Sequence, residues 1–268
     1  MGGGGFGFPM KAGGGLIGLL VLAAAIFLPR LLGGGGQPVS TPSLGGAEGE
    51  GSETVQCVTE IEQIICGATE DVAIYWGQTL PQVSGRPYQE TDTAFFSGAV
   101  STGCGQATSQ VGPFYCPADF LIYFDLDFLQ QLQQQFGATG DLAAQYIVAH
   151  EYGHHVQNLL GTSDFVNQAS AQDPANANQY SIALELQADC YAGAWAHDAE
   201  RRGLLEPGEI DEALNAAAAV GDDRIQQQTQ GQVNRETWTH GSSEQRVSWF
   251  RRGFETGDPS SCDTFAEL

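Results

Sequence analysis

The chain of 268 residues is long enough for one sizeable domain with tails, and it sets ten lysines and arginines against 32 aspartates and glutamates, a formal net charge of −22. Such an excess repels nucleic acid instead of steering it in, so no nucleic-acid partner is expected. The same charge serves solubility in high salt or in an exposed compartment.

The first 54 residues do not read as globular. Residues 1–15 form a glycine-rich tail, and residues 16–32, LIGLLVLAAAIFLPRLL, carry no charge from Leu16 to Pro29. A membrane-spanning helix needs roughly 20 apolar residues, and the run reaches that length with its flanks. A secretory signal would place its small residues after the apolar core, whereas Ala23, Ala24 and Ala25 lie inside it. The segment therefore reads as a single-pass anchor with Lys11 on the inner side, the alternative being a cleaved signal and a secreted protein. Residues 33–54 are a flexible Gly, Ser and Pro linker, and residues 55–268 form the expected extracytoplasmic domain. Its six cysteines suggest disulfides. Closeness in sequence favours Cys57–Cys66 and Cys104–Cys116, which leaves Cys190 for Cys262.

Within the domain, Val72, Tyr75, Trp76 and Leu80 recur at helical spacing and predict an amphipathic helix stopped by Pro81. The short aromatic and β-branched runs in TDTAFFSGAVSTGCG, GPFYCP and DFLIYFD are broken by Gly and Pro and predict a small sheet. LDFLQQLQQQFG returns to helix, with Phe128, Leu129, Leu132 and Phe136 on one side; Gly137 and Gly140 end it, and Asp141 can cap the next helix. Three further helices are expected at QYSIALELQADCYAGAWAHDAERRG, ended by Gly203, at PGEIDEALNAAAAVGDDRI, with Pro207 near its start, and at HGSSEQRVSWFRRGFETG, where Ser242 and Gln245 have capping-box spacing. The order of helix, strands and then mostly helices predicts an α+β fold, a small antiparallel or mixed sheet packed on a mostly helical body.

The helix that follows Asp141 contains IVAHEYGHHVQNLL, three histidines and a glutamate in an otherwise apolar run. Residues four apart on a helix lie about 400° apart, one above the other, so His150 and His154 point the same way and Glu151 lies one step round. This is the His-Glu-x-x-His arrangement of zinc hydrolases, in which two neutral imidazoles bind Zn²⁺ and the Glu takes the proton of an activated water. His155 lies about 140° from His150 and is expected to be structural. A catalytic zinc usually takes a third protein ligand, and Glu185 supplies one from the middle of an apolar helical pattern. Asp189, four residues on, shares its face and can hydrogen-bond the far nitrogen of a ligand histidine. Two acids on a face that would otherwise be core are costly unless paired or bound to metal.

Together with the glycine-rich segment and apolar run, the pieces GPFYCPAD, IYFD, HEYGHHVQ, ELQADCYAGAWA and THGSSEQRVSWFRRGF cover most of the chain from about Thr93 onward, and with them the chain resembles the neutral zinc metallopeptidase family, which looks like a minimal gluzincin. The resemblance implies a zincin-like domain built on an active-site helix and a glutamate helix. It implies one Zn²⁺ per chain on His150, His154 and Glu185, with Glu151 as general base and Asp189 behind the ligands. It also implies that Leu121, Ile122, Tyr123, Phe124 and Asp125 offer a free strand edge to an extended peptide or protein substrate. Gluzincins use a His or Tyr to stabilise the oxyanion; His240 is the candidate here, with Tyr180 behind it. The expected function is that of a membrane-anchored extracytoplasmic zinc endopeptidase. The alternatives are a non-catalytic zinc-containing envelope scaffold and a zinc amidase acting on cell-wall peptides.

Overall fold

The computed structural model describes residues 57–109, 111–129, 141–206, 208–266 and 268. The tail, apolar segment and linker read at the N-terminus lie outside the described residues. So does all but the first turn, 126–129, of the helix predicted at LDFLQQLQQQFG. Among the described residues no helix is long and apolar enough to cross a membrane.

Helix α1, Glu60–Ser84, starts at a capping box between Thr59 and Glu62 and buries Ile65, Ala68, Val72, Tyr75, Trp76 and Leu80 along one stripe. Pro81 does not stop it. The proline sits inside the last turn, where its missing N–H removes one hydrogen bond, while buried Trp76 and Leu80 keep that turn packed. The helix ends at Gly85, whose left-handed φ of 70° lets its N–H reach the Pro81 carbonyl at 3.0 Å.

Strands β1 (Asp92–Phe96), β2 (Ala99–Thr102), β3 (Gly105–Thr108), β4 (Phe114–Cys116) and β5 (Leu121–Asp125) follow. They form a mixed three-stranded sheet in the order β1-β5-β4 and a separate β2–β3 hairpin. β5 pairs parallel with β1 and antiparallel with β4, so it is the middle strand. Its end is set by Asp125, whose Oδ1 accepts from the N–H groups of Asp127 and Phe128 and starts the next helical turn.

The remainder is helical: α2 (Asp141–Leu160), α3 (Thr162–Gln172), α4 (Ala177–Arg201), α5 (Glu209–Ala219), α6 (Asp222–Gln230) and α7 (Ser243–Thr256). Helix α3 has no counterpart among the predicted elements. The stretch expected as one helix from Pro207 is two, because Gly221 turns extended and Ser243 packs where a side chain on it would sit, 2.4 Å from an ideal Cβ. α4 is the central helix, buried along Ala183–Ala196 between α2 and α7. At its crossing with α7 the two backbones meet: a Cβ on Gly193 would lie 2.0 Å from the Phe250 carbonyl oxygen, and one on Gly253 1.9 Å from that of Cys190. α1 is tied to α4 by Asp71, which takes both NH groups of Arg202 at 2.6 and 2.8 Å and the Trp195 Nε1–H at 2.8 Å. Disulfides join Cys57–Cys66, Cys104–Cys116 and Cys190–Cys262, and no free cysteine remains among the described residues. The molecule is α+β.

Candidate metal centre

The site forms where α2 lies against α4. Gly153 makes that approach possible, since a Cβ there would stand 3.0 Å from the Ala188 Cα and 3.1 Å from its Cβ. On α2 Gly153 lies between His150 and His154; on α4 Ala188 lies between Glu185 and Asp189. The contact of the two small residues thus brings the two pairs of polar side chains face to face. His150 Nε2 is 3.3 Å from Glu185 Oε2 and His154 Nε2 is 3.5 Å from Glu185 Oε1. One donor atom from each of the three residues lies within 4.8 Å of the others, and His150 and Glu185 are buried.

A second layer orients this cluster. Asp189, fully buried, takes the Tyr146 hydroxyl at 2.6 Å and His150 Nδ1 at 2.8 Å on one oxygen. Arg246, from α7, donates Nε–H to the other oxygen at 2.8 Å and a terminal N–H to the first at 2.9 Å. It also contacts the Tyr146 hydroxyl at 3.2 Å and the Val220 carbonyl at 3.3 Å, and lies 3.4 Å from His150 Nδ1. Behind the second histidine, His154 Nδ1 is 2.9 Å from Gln157 Oε1. Both imidazoles therefore have Nδ1 engaged and turn Nε2 toward Glu185. Two imidazole nitrogens and a carboxylate, each oriented from behind, form a donor set that fits zinc.

The charges are coupled. Burial works against a cation at His150, yet Asp189 and Glu185 outweigh it and the pKa is pushed up to about 9. Burial would raise the Glu185 carboxyl, but His154, His240 and His150 hold it well below the usual carboxylate range. Asp189 is likewise lowered against the effect of burial, by Arg246 and His150.

The other predicted residues take the following places. Glu151 is 7% exposed, and no hydrogen bond from a described side chain reaches its carboxylate. His240 lies beside the cluster, close enough to Glu185 and Asp222 that they raise its pKa against the opposing effect of burial. Asp222 fixes it: one oxygen accepts from the backbone N–H groups of Thr239, His240 and Gly241 at 2.8, 2.7 and 3.0 Å, and the other lies 3.3 Å from His240 Nδ1. Tyr180 packs on Phe165, 6.5 Å between ring centres. His155 faces the sheet, 2.7 Å from the Gln89 carbonyl and 3.1 Å from the Tyr115 hydroxyl.

The expectation that Leu121, Ile122, Tyr123, Phe124 and Asp125 present a free edge is overturned. β1 pairs with all five residues on one side and β4 with Leu121–Tyr123 on the other, so the strand's hydrogen-bonding groups are largely spent within the sheet. Sequence reasoning also missed Tyr146, Gln157, Asp222 and Arg246. Two of these had a usable signal, because Tyr146 precedes His150 by one helical turn and Gln157 follows His154 by three residues.

A family model described as "Putative neutral zinc metallopeptidase" matches residues 1–265. The chain belongs to this family. It is 44% identical to the Escherichia coli (strain K12) uncharacterized protein YpfJ over 273 residues, spanning all of this chain and 91% of that protein. It is 54% identical to the Mycobacterium tuberculosis (strain H37Rv) uncharacterized protein Rv2575 over 202 residues, 71% of this chain and 66% of the other. No solved structure matches the chain. Zinc is the metal that the family description names, and two imidazoles with one carboxylate are a donor set that zinc accepts.

Proposed function

We propose that the protein is a zinc-dependent endopeptidase whose catalytic domain, residues 55–268, stands outside the cytoplasm on a single-pass anchor at residues 16–32. The observation that carries the reading is the convergence of His150, His154 and Glu185 from two helices, with the Glu151 carboxylate left unengaged beside them. Membership of the metallopeptidase family supports it, and three disulfides suit an oxidising compartment.

His150, His154 and Glu185 would hold the ion. Bound there, zinc supplies a Lewis acid that polarises a peptide carbonyl and lowers the pKa of a water to roughly 7. Glu151 takes the proton of the attacking water and delivers it to the leaving amine. His240, steadied by Asp222 and Thr239, donates to the oxygen on which negative charge develops. Asp189 and Gln157 keep Nδ1 of the two ligand histidines engaged, which leaves each Nε2 lone pair available.

Metal analysis of the full chain tests the site, with about one zinc expected per chain and little or none in Glu185→Ala. Peptide-library hydrolysis tests the chemistry. Glu151→Gln should retain zinc and lose turnover by several orders of magnitude, because the proton acceptor is gone while the ligands remain. A parent chain that stays free of zinc when supplied with it would overturn the metal assignment, and cleavage by Glu151→Gln at the parent rate would overturn the assigned base.

A further inference from the structure

The tautomer of His154 is decided at a distance from the metal centre. Behind His154 runs a line of buried amides: Gln157 is fully buried and Gln187 is 7% exposed. Gln157 Nε2 donates to the Leu184 carbonyl at 2.7 Å and to Gln187 Oε1 at 3.2 Å. Gln187 Nε2 donates in turn to the Cys262 carbonyl at 2.9 Å. A carboxamide can usually be turned end for end without penalty, but here it cannot, because a backbone carbonyl only accepts. The Cys262 carbonyl therefore requires the NH₂ end of Gln187, which leaves the Gln187 oxygen facing Gln157. The Leu184 carbonyl, the nearer acceptor, by itself requires the NH₂ end of Gln157, and the Gln187 oxygen takes the second hydrogen of that amide. The Gln157 oxygen is then left for His154, and an oxygen acceptor 2.9 Å from Nδ1 requires the imidazole proton to be on Nδ1.

Every donor in this line points away from the metal centre, and the line ends on a carbonyl fixed by the Cys190–Cys262 disulfide. We propose that Gln187 is a positioning residue which, together with the Leu184 carbonyl and anchored by the Cys190–Cys262 bridge, steadies Gln157 in the orientation that keeps His154 in the tautomer presenting Nε2 to the metal. This rests on the metal site proposed above, and the test below separates the two. Neither Gln187 nor Cys262 reaches the ligand cluster. Their effect is exerted through donor direction alone, and it passes from the C-terminal segment to α2.

The decisive measurement is nitrogen-15 NMR of the histidine rings in the full chain without added metal, comparing the parent with Gln187→Met, which keeps the volume and removes both polar ends. The parent is expected to show His154 protonated on Nδ1, and Gln187→Met a weakened preference, since the Leu184 carbonyl then holds Gln157 alone. In a zinc competition titration the same variant should bind roughly 10-fold or more weakly, the usual consequence of losing an outer partner of a ligand histidine. An Nδ1–H population in Gln187→Met equal to that of the parent overturns the proposal whatever the zinc result. Should that variant not fold, Gln187→Leu also removes both polar ends, and the same reading applies. A parent that shows the tautomer but binds no zinc would sink the metal assignment and leave this inference standing.

Discussion

Arg246 is the one buried arginine among the described residues, and its position at the join of four helices makes it costly to remove. From α7 it reaches Asp189 on α4, the Tyr146 hydroxyl on α2 and the Val220 carbonyl at the end of α5. Truncation would leave Asp189, fully enclosed, without the cation that balances it. Arg246→Leu is therefore expected to destabilise the fold by about 3–5 kcal/mol in denaturant unfolding, the range for breaking a buried pair on one side. A loss below about 1 kcal/mol would mean that His150 and Tyr146 suffice for Asp189. The contrast with the three candidate ligands explains what a sequence shows at this scale. His150, His154 and Glu185 are legible because the helical repeat makes their shared faces a matter of counting, and acids in an apolar helix stand out. Arg246 is one of three arginines in RVSWFRRGF, and nothing in that stretch says which is buried; the answer depends on how α7 crosses α4.

That crossing shows how elements are placed by what is missing from them. Gly193 and Gly253 let two backbones touch, and a methyl group at either would overlap a carbonyl oxygen of the partner helix. Gly67, in the exposed part of α1, has nothing within 4 Å of its notional Cβ. Gly193→Ala is thus expected to cost upward of about 4 kcal/mol, because α4 and α7 cannot move apart without breaking the Arg246 contacts. Gly67→Ala should stabilise by about 0.5–1 kcal/mol through lower unfolded-state entropy. Thermal melts of the two variants check both signs, and a neutral Gly193→Ala would show that the crossing is looser than the structure has it. Helix boundaries were legible where a local device sets them, as in the Ser242–Gln245 capping box, which forms at the start of α7. They were not legible where a distant contact decides, as at Gly221, nor at Pro81, where tertiary packing outweighs the missing amide. The order of strands in the sheet was hidden for the same reason, since periodicity cannot say which edge β1 will cover.

Across the whole molecule, α1 is held to the helical body partly through charge, and that attachment is sensitive to acid. Burial would raise the Asp71 carboxyl, but hydrogen bonds from Arg202 and Trp195 and the Arg202 charge together hold it below the ordinary 3.8. A carboxyl lowered in the folded state contributes stability that is complete above its unfolded value and is lost as pH falls through its folded value. The stability difference between the parent and Asp71→Asn should therefore be constant above about pH 5 and shrink as the solution is made more acid. A difference independent of pH down to about 2 would remove Asp71 as the source. The chain's acidic composition announced such carboxylates in bulk, yet only the fold selects the one that an arginine 131 residues away will clasp. The Cys190–Cys262 bridge, whose ends are 72 positions apart, has a bearing on how the protein is made. A ribosome adding roughly 5–20 residues per second needs about 4–14 s to pass from one cysteine to the other. For that interval the nascent chain already carries all three side chains of the candidate metal centre but lacks Arg246 and the Cys262 carbonyl, to which Gln187 donates. The two helices that bear the candidate site are synthesised early and are completed late, so a half-made chain lacks the contacts that orient the cluster.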